Sequence, residues 1–244
     1  MRITETEKLM YSVMKAIYDS GIPMDFKGAM VLKACLLEAG FPEEIRHTAD
    51  IDANWYLDSE PSPEQMTESL QSALNKSGID LGVRLYRMYG KERSAGFEFF
   101  NQDSGEILFS LDVDVNRPVQ TTQLYEISDL CFRGISPRQM MADKISSISS
   151  DHVFRRIKDV VDLYYMSQVF VFDRSIILQT LENSKRSLGS FDAFLHHKEE
   201  LRHAYDRYRF SGDIYKPLFE TVYAQVKRYI REILPKERHR DIER

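Results

Sequence analysis

The sequence predicts an α+β fold: a mixed sheet core with flanking helices, then a helical C-terminal domain. Three observations carry this. Residues 83–115 hold three segments rich in β-branched and aromatic residues, separated by turn chemistry. Segments with apolar residues at helical spacing lie on both sides of them. Near Gly134 the character changes, and only helical periodicity follows. These features divide the chain into residues 1–134 and 135–244.

In order, residues 4–19 place Leu9, Val13 and Ile17, with Met10 and Met14, at helical spacing. Thr4 with Glu7 three residues on has the form of a capping box, and Gly21 stops the helix. Ile22 to Phe26 reads as a short strand. Gly28 turns the backbone into a helix over 29–39, which Gly40 ends. Ala49, Ile51 and Ala53 alternate with Asp50, Asp52 and Asn54, the period of a strand with one polar face. Ser62 caps a helix over 63–77. Strands are expected at 83–89, 97–100, 107–115 and 124–127, and the Asn101–Gly105 turn makes a hairpin of the second and third. Beyond Gly134, helices are expected from Ser136-Pro137 through Ile148, then at 152–168, 174–185, 191–208 and 215–233, before a frayed tail, KERHRDIER.

Composition narrows the class. Mean hydropathy is -0.41, ordinary for a water-soluble globular chain. No run approaches the roughly 18 apolar residues that cross a bilayer. Glu5, Glu7 and Asp19 make the first twenty residues unlike a signal peptide, so no membrane is expected as a partner. The only two cysteines, Cys35 and Cys131, indicate neither a disulfide framework nor a zinc site, which suits a reducing cytoplasm. The net charge of -5 is uneven: residues 135–244 hold 20 Lys/Arg against 16 Asp/Glu, while the first part is acidic.

Three groups could do chemistry. Asp50 and Asp52, two apart on one strand, point the same way about 7 Å apart. Asp112 and Asp114 share a face of a later strand that could lie beside them. Carboxylates so placed repel one another unless a cation such as Mg²⁺ sits between them. Alternating polar residues are also what any half-exposed strand shows. Lys27-Gly28 forms a glycine turn at a helix start, which suits phosphate or simply makes the turn. Arg46 and Thr48 approach the acidic strand and could bind phosphate, pair locally or cap the loop. Downstream, Lys144 precedes a helix on which Arg156, Asp159 and Asp162 recur every three residues, the spacing also of a salt-bridged solvent face.

Taken in order, FKGAMVLKA, RHTADID, LDVDVN, ADKISSI and FRRIKDVVDLY resemble the AbiEii/AbiGii-toxin-like nucleotidyltransferases. The likeness covers residues 25–165 well and the helical remainder by size and type. It implies a polymerase-β-like nucleotidyltransferase core and Mg²⁺-dependent transfer of a nucleoside monophosphate from an NTP, releasing pyrophosphate. By that analogy Lys27, Gly28 and Ala29 match the turn at the triphosphate. Asp50 and Asp52 match the metal-binding pair. Asp114 matches the third carboxylate, which would activate the attacking hydroxyl, with Asp112 as the competing assignment. Lys144 matches a lysine near the phosphates, and Asp159 the aspartate of the later helical motif. The family's turn usually has a second small polar residue or glycine where this chain has Ala29, which keeps a backbone N–H but no hydroxyl. The resemblance further implies a toxin-like enzyme acting on RNA such as tRNA, with a cognate antitoxin. Transfer to a small hydroxylated molecule such as an aminoglycoside, or a silent nucleotide- or RNA-binding module, are the alternatives.

Overall fold

The computed structural model describes residues 3–58, 61–89, 94–115, 120–171, 173–210 and 214–234. Asn116 and the tail KERHRDIER lie outside the described residues. The chain divides into two packed units, Met1–Glu43 with His47–Ser136, and Glu44–Arg46 with Pro137–Arg244.

The first unit runs α1 (Glu5–Asp19), β1 (Met24–Lys27), α2 (Gly28–Glu38), β2 (Asp50–Trp55), α3 (Pro63–Lys76), β3 (Gly82–Tyr89), β4 (Ser94–Phe100), β5 (Ile107–Asp114), β6 (Thr122–Ile127) and β7 (Leu130–Ile135). Among the described residues, these seven strands join one sheet in the order β3-β4-β5-β2-β1-β7-β6. The β2–β5 and β1–β7 pairs are parallel and the others antiparallel. Phe26, Ile51, Ala53, Phe97, Phe99, Leu111 and Val113 are buried along the strands, and α1 and α2 pack against the sheet. Tyr11, Phe132 and Tyr125 stack in succession, 5.7 and 5.6 Å between centroids. The two tyrosine hydroxyls donate to the Met30 and Ile135 carbonyls, so their burial leaves no polar orphan.

Thr4 and Ser62 both cap their helices in capping boxes, with Glu7 and Gln65 returning the bond. Glu7 does more. Buried with Lys33 at 2.6 Å and His47 at 3.0 Å, it ties α1 to α2 and to the lead-in of β2. Burial would raise its pKa, but bonds from Lys33, Thr4 and His47 outweigh that and hold it below the usual range.

Strand β7 is an addition to the expected elements. Its hairpin with β6 turns through Ser128-Asp129, with Ser128 at φ 47°, and lacks the Asn-Gly signature that would announce it. Gly134, expected at the boundary, is a packing glycine inside β7. A Cβ there would stand 3.0 Å from Val31 Cγ1 of α2.

The second unit is helical: α4 (Pro137–Ile148), a 3₁₀ turn (Val153–Arg155), α5 (Ile157–Met166), α6 (Arg174–Asn183), α7 (Asp192–His196), α8 (Lys198–Arg207) and α9 (Phe219–Ile233). The helix expected over 152–168 begins as the 3₁₀ turn. That expected over 191–208 divides into α7 and α8 at His197, whose ψ of 51° leaves the helical range. Helix α4 packs on α5 and α6, and α5 on α9.

A carboxylate face beside a glycine turn

The two aspartate pairs lie side by side. In β2, Ile51, Ala53 and Trp55 are buried on one side, so alternation sends Asp50, Asp52 and Asn54 to the other. In β5, Leu111 and Val113 do the same for Ser110, Asp112 and Asp114. The parallel register pairs Asp50 with Ser110, Asp52 with Asp112 and Asn54 with Asp114. Adjacent strands are about 4.8 Å apart, so four carboxylates share one small patch.

Each carboxylate has a fixed environment. The Lys27 ammonium donates to Asp114 Oδ2 at 2.5 Å and to Asn54 Oδ1 at 2.6 Å. Ser110 Oγ donates to Asp50 Oδ1 at 2.9 Å. The Arg87 guanidinium donates to Asp112, and the Tyr86 hydroxyl donates to the same side chain at 3.4 Å. Thr48 lies at the entry to β2, where its Oγ accepts from the Asp50 N–H at 3.3 Å. The patch is strongly negative: burial, and then the charges of Asp114 and Asp112, push the Tyr89 phenol well above its ordinary value.

Gly28 opens α2 at φ 74°, in the left-handed region, and a Cβ there would lie 2.2 Å from Asp52 Oδ2. Absence of a side chain therefore lets the helix start press against the Asp52 carboxylate, where exposed backbone N–H groups favour negative charge. Ala29 is buried in that first turn. Gly28→Ala imposes both backbone strain and a clash, and is expected to lower stability by about 1–3 kcal/mol and to displace Asp52. Loss of most transfer activity, read alongside thermal melting, checks this; a fully active variant would refute it.

Among the described residues no three His, Cys, Asp or Glu side chains converge as a ready metal cage. The donor set nevertheless suits a hard divalent ion, because Asp50, Asp52, Asp112 and Asp114 offer carboxylate oxygens from one face and Gly28 keeps the flank of Asp52 clear of a side chain.

Arg46, Lys144 and Asp159 come together in the second unit around Asp162. The Arg46 fork meets both Asp162 oxygens at 3.2 and 3.1 Å. The Lys144 ammonium donates to Asp162 at 2.7 Å and to Asp159 at 3.2 Å. Burial alone would raise the Asp162 pKa, yet the Arg46 and Lys144 charges bring it down to about 2. Burial acts against the Lys144 charge, and Asp162 and Asp159 reverse that effect, so its ammonium is held above the ordinary lysine range.

Of the expected residues, Lys27, Gly28, Ala29, Thr48, Asp50, Asp52, Asp112 and Asp114 thus fall in the first unit. Arg46, Lys144 and Asp159 gather in the second. Sequence reasoning passed over Ser110 and the central place of Asp162. The two-residue period of β5 could have marked Ser110, and three-residue spacing from Asp159 did place Asp162 on the right helix face. Nothing local in the sequence ties Arg87 or Tyr86 to Asp112.

A family model described as nucleotidyl transferase AbiEii toxin, type IV TA system, matches residues 16–225. Among solved structures, the chain is similar to MenT4, a nucleotidyltransferase toxin from Mycobacterium tuberculosis, at 13% identity and TM-score 0.57. That match covers 98% of this chain and 90% of the other. An antigenic nucleotidyltransferase-like protein from Paracoccidioides brasiliensis matches at 17% identity and TM-score 0.48, over 82% and 91% of the two chains. No curated protein matches. With a family match over most of its length and the fold of a nucleotidyltransferase toxin, the chain belongs to the AbiEii nucleotidyltransferase toxin family.

Proposed function

We propose that this nucleotidyltransferase moves a nucleoside monophosphate from an NTP to an RNA such as tRNA, with Mg²⁺, in the cytoplasm and under restraint by a cognate antitoxin. The family supports toxin-like nucleotidyl transfer; the carboxylate face supports the metal. The observation that carries the reading is Asp52, set in register beside Asp112 and pressed against the glycine-led start of α2.

Asp50 and Asp52, with a third carboxylate from β5, would hold the ion. When bound, Mg²⁺ supplies charge neutralisation at the reacting phosphates. Lys27 and the backbone N–H groups of Gly28 and Ala29 would receive the triphosphate. Thr48 fixes the backbone of Asp50. For the third carboxylate, the register favours Asp112, which pairs with Asp52, over Asp114, which pairs with Asn54 and is bonded to Lys27. That carboxylate would take the proton of the attacking RNA hydroxyl, after which the new phosphodiester forms and pyrophosphate departs. For Arg46, Lys144 and Asp159, the bonds that meet at Asp162 support a role in holding the helical unit together.

Half-exposed Arg84 and Arg87 on β3, beside the carboxylates, favour an anionic acceptor over a cationic aminoglycoside. Incubation of the full chain with each labelled NTP and total RNA, with Mg²⁺ or with chelator, tests the reading. Label is expected in RNA only with Mg²⁺. Transfer unaffected by chelation overturns the metal role, and label on an aminoglycoside but not on RNA overturns the acceptor.

A further inference from the structure

Beside Asp112, the outer strand β3 is built in an uncommon way. Its register against β4 shifts between Leu85 and Arg87, leaving Tyr86 as the extra residue of a β-bulge. Such bulges re-aim side chains and are frequent beside active sites. Here the bulge sends both Tyr86 and Arg87 across β4 to Asp112 on β5. The crossing is possible because β4 has Gly96 opposite Asp112 and Arg87. A Cβ at Gly96 would stand 2.6 Å from Tyr86 Cε1, 2.8 Å from Asp112 Oδ1 and 2.9 Å from Arg87 Cγ.

The result is an aromatic surface with two half-exposed arginines, Arg84 paired with Glu98 and Arg87 with Asp112. The Arg87 guanidinium lies 5.0 Å from the Tyr86 ring centroid and 5.4 Å from that of Tyr89. Arg84 repeats the arrangement further along β3, 5.4 Å from the Phe100 ring. Tyr86 is 40% exposed and the Arg87 side chain 50%, so ring and guanidinium remain accessible. A core role does not explain them, because the apolar core residues Ile51, Ala53, Phe97, Leu111 and Val113 are on the other face of the sheet. Rings that stack bases, interleaved with arginines that meet phosphates, are what a single-stranded nucleic acid requires.

We propose that the β3 platform of Tyr86, Arg87, Tyr89 and Arg84 is the acceptor-binding surface, taking the unpaired end of an RNA strand so that its terminal hydroxyl reaches Asp112. This rests on the transfer reaction proposed above and specifies its acceptor side. Tyr86 stacks the terminal base, and Arg87 exchanges part of its bond to Asp112 for an acceptor phosphate. Stacking is tolerant of base identity, so the platform selects a single-stranded end rather than a sequence. A cationic small molecule would be repelled by the same arginines.

The test uses initial rates of label transfer by the full chain, wild type against Arg87→Gln, Tyr86→Ala and Tyr86→Phe. All three changes are at exposed positions. With saturating NTP, Arg87→Gln and Tyr86→Ala are expected to raise the KM for RNA about tenfold. With saturating RNA, the KM for NTP of Tyr86→Ala should stay within about twofold of wild type, since a base-stacking contact acts on the acceptor. Arg87→Gln should also flatten the dependence of log affinity on log salt by about one, the loss of one phosphate contact. Tyr86→Phe keeps the ring and should hold the KM for RNA within about twofold of wild type, any effect of losing the hydroxyl bond to Asp112 falling on kcat. An unchanged KM for RNA, or equal rises for both substrates, overturns the platform. If the wild type labels no RNA at all, the transfer reading itself fails. Fluorescence anisotropy with single-stranded RNA then judges the platform separately, and equal binding by wild type and Tyr86→Ala overturns it.

Discussion

Replacing Asp52 by asparagine is expected to lower nucleotidyl transfer by more than about a hundredfold, because even the outer partners of metal ligands are commonly worth about 10–100-fold. The substitution keeps the shape of a side chain that is packed against Gly28 and removes its charge. The sheet should be insensitive to it, since β2 is anchored by Ile51, Ala53 and Trp55 on the apolar side. The expected signature is therefore a dead enzyme with a wild-type melting curve. Asp50→Asn should behave similarly. Within β5 the register makes a finer demand: Asp112→Asn should cost more activity than Asp114→Asn, because Asp112 is the neighbour of Asp52. Steady-state transfer at several Mg²⁺ concentrations reads all four variants. Wild-type rates from Asp52→Asn would remove the carboxylate face from the reaction.

Asp162→Ala should produce the opposite pattern, a protein whose helical unit fails before its chemistry is considered. Its carboxylate is wholly buried and receives bonds from both Arg46 and Lys144. Its removal strands two cations with only the partly engaged Asp159 between them. Breaking such a buried arrangement from one side lowers stability by about 3–5 kcal/mol. Hydrogen exchange along α4 and α5 should accelerate strongly, and the denaturation midpoint of the full chain should fall. The acid response follows from the same group. Its pKa is about 2 in the folded chain. Against an unfolded value of about 3.9, the stabilisation it gives is complete above about pH 4 and is lost as pH falls through 2. Asp162→Ala should therefore be less stable than wild type at neutral pH, with the gap narrowing below about pH 4. A constant gap across that range would show that the charge of Asp162 contributes nothing.

Much of this was legible in the sequence where one local rule sufficed. The two-residue alternation in ADIDAN and in ILFSLDVD placed the carboxylates on one face, because burial of Ile51, Ala53, Leu111 and Val113 leaves no other choice. Capping boxes fixed the starts of α1 and α3. Strand β7 was illegible for the converse reason. LCFRGI combines a cysteine, an arginine and a glycine in six residues, and it becomes a strand through pairing with β6 and β1. The choice between Asp112 and Asp114 depends on the register of two strands more than fifty residues apart, which no local pattern encodes. The same is true of Arg87, whose path to Asp112 requires a bulge in one strand and a glycine in the next.

The assignment of Glu44–Arg46 to the helical unit means that the backbone passes from one unit to the other three times, after Glu43, after Arg46 and after Ser136. A single scission at Ser136 therefore yields no pair of complete folding units. The C-terminal fragment would lack Arg46 and leave Asp162 with Lys144 and no guanidinium, while the N-terminal fragment would carry three residues whose packing partners are gone. An exchange of the helical part by one crossover at Ser136 would leave Arg46 behind. A substitute would have to provide its own acceptor for Arg46, which links the inheritance of the two halves through one salt bridge.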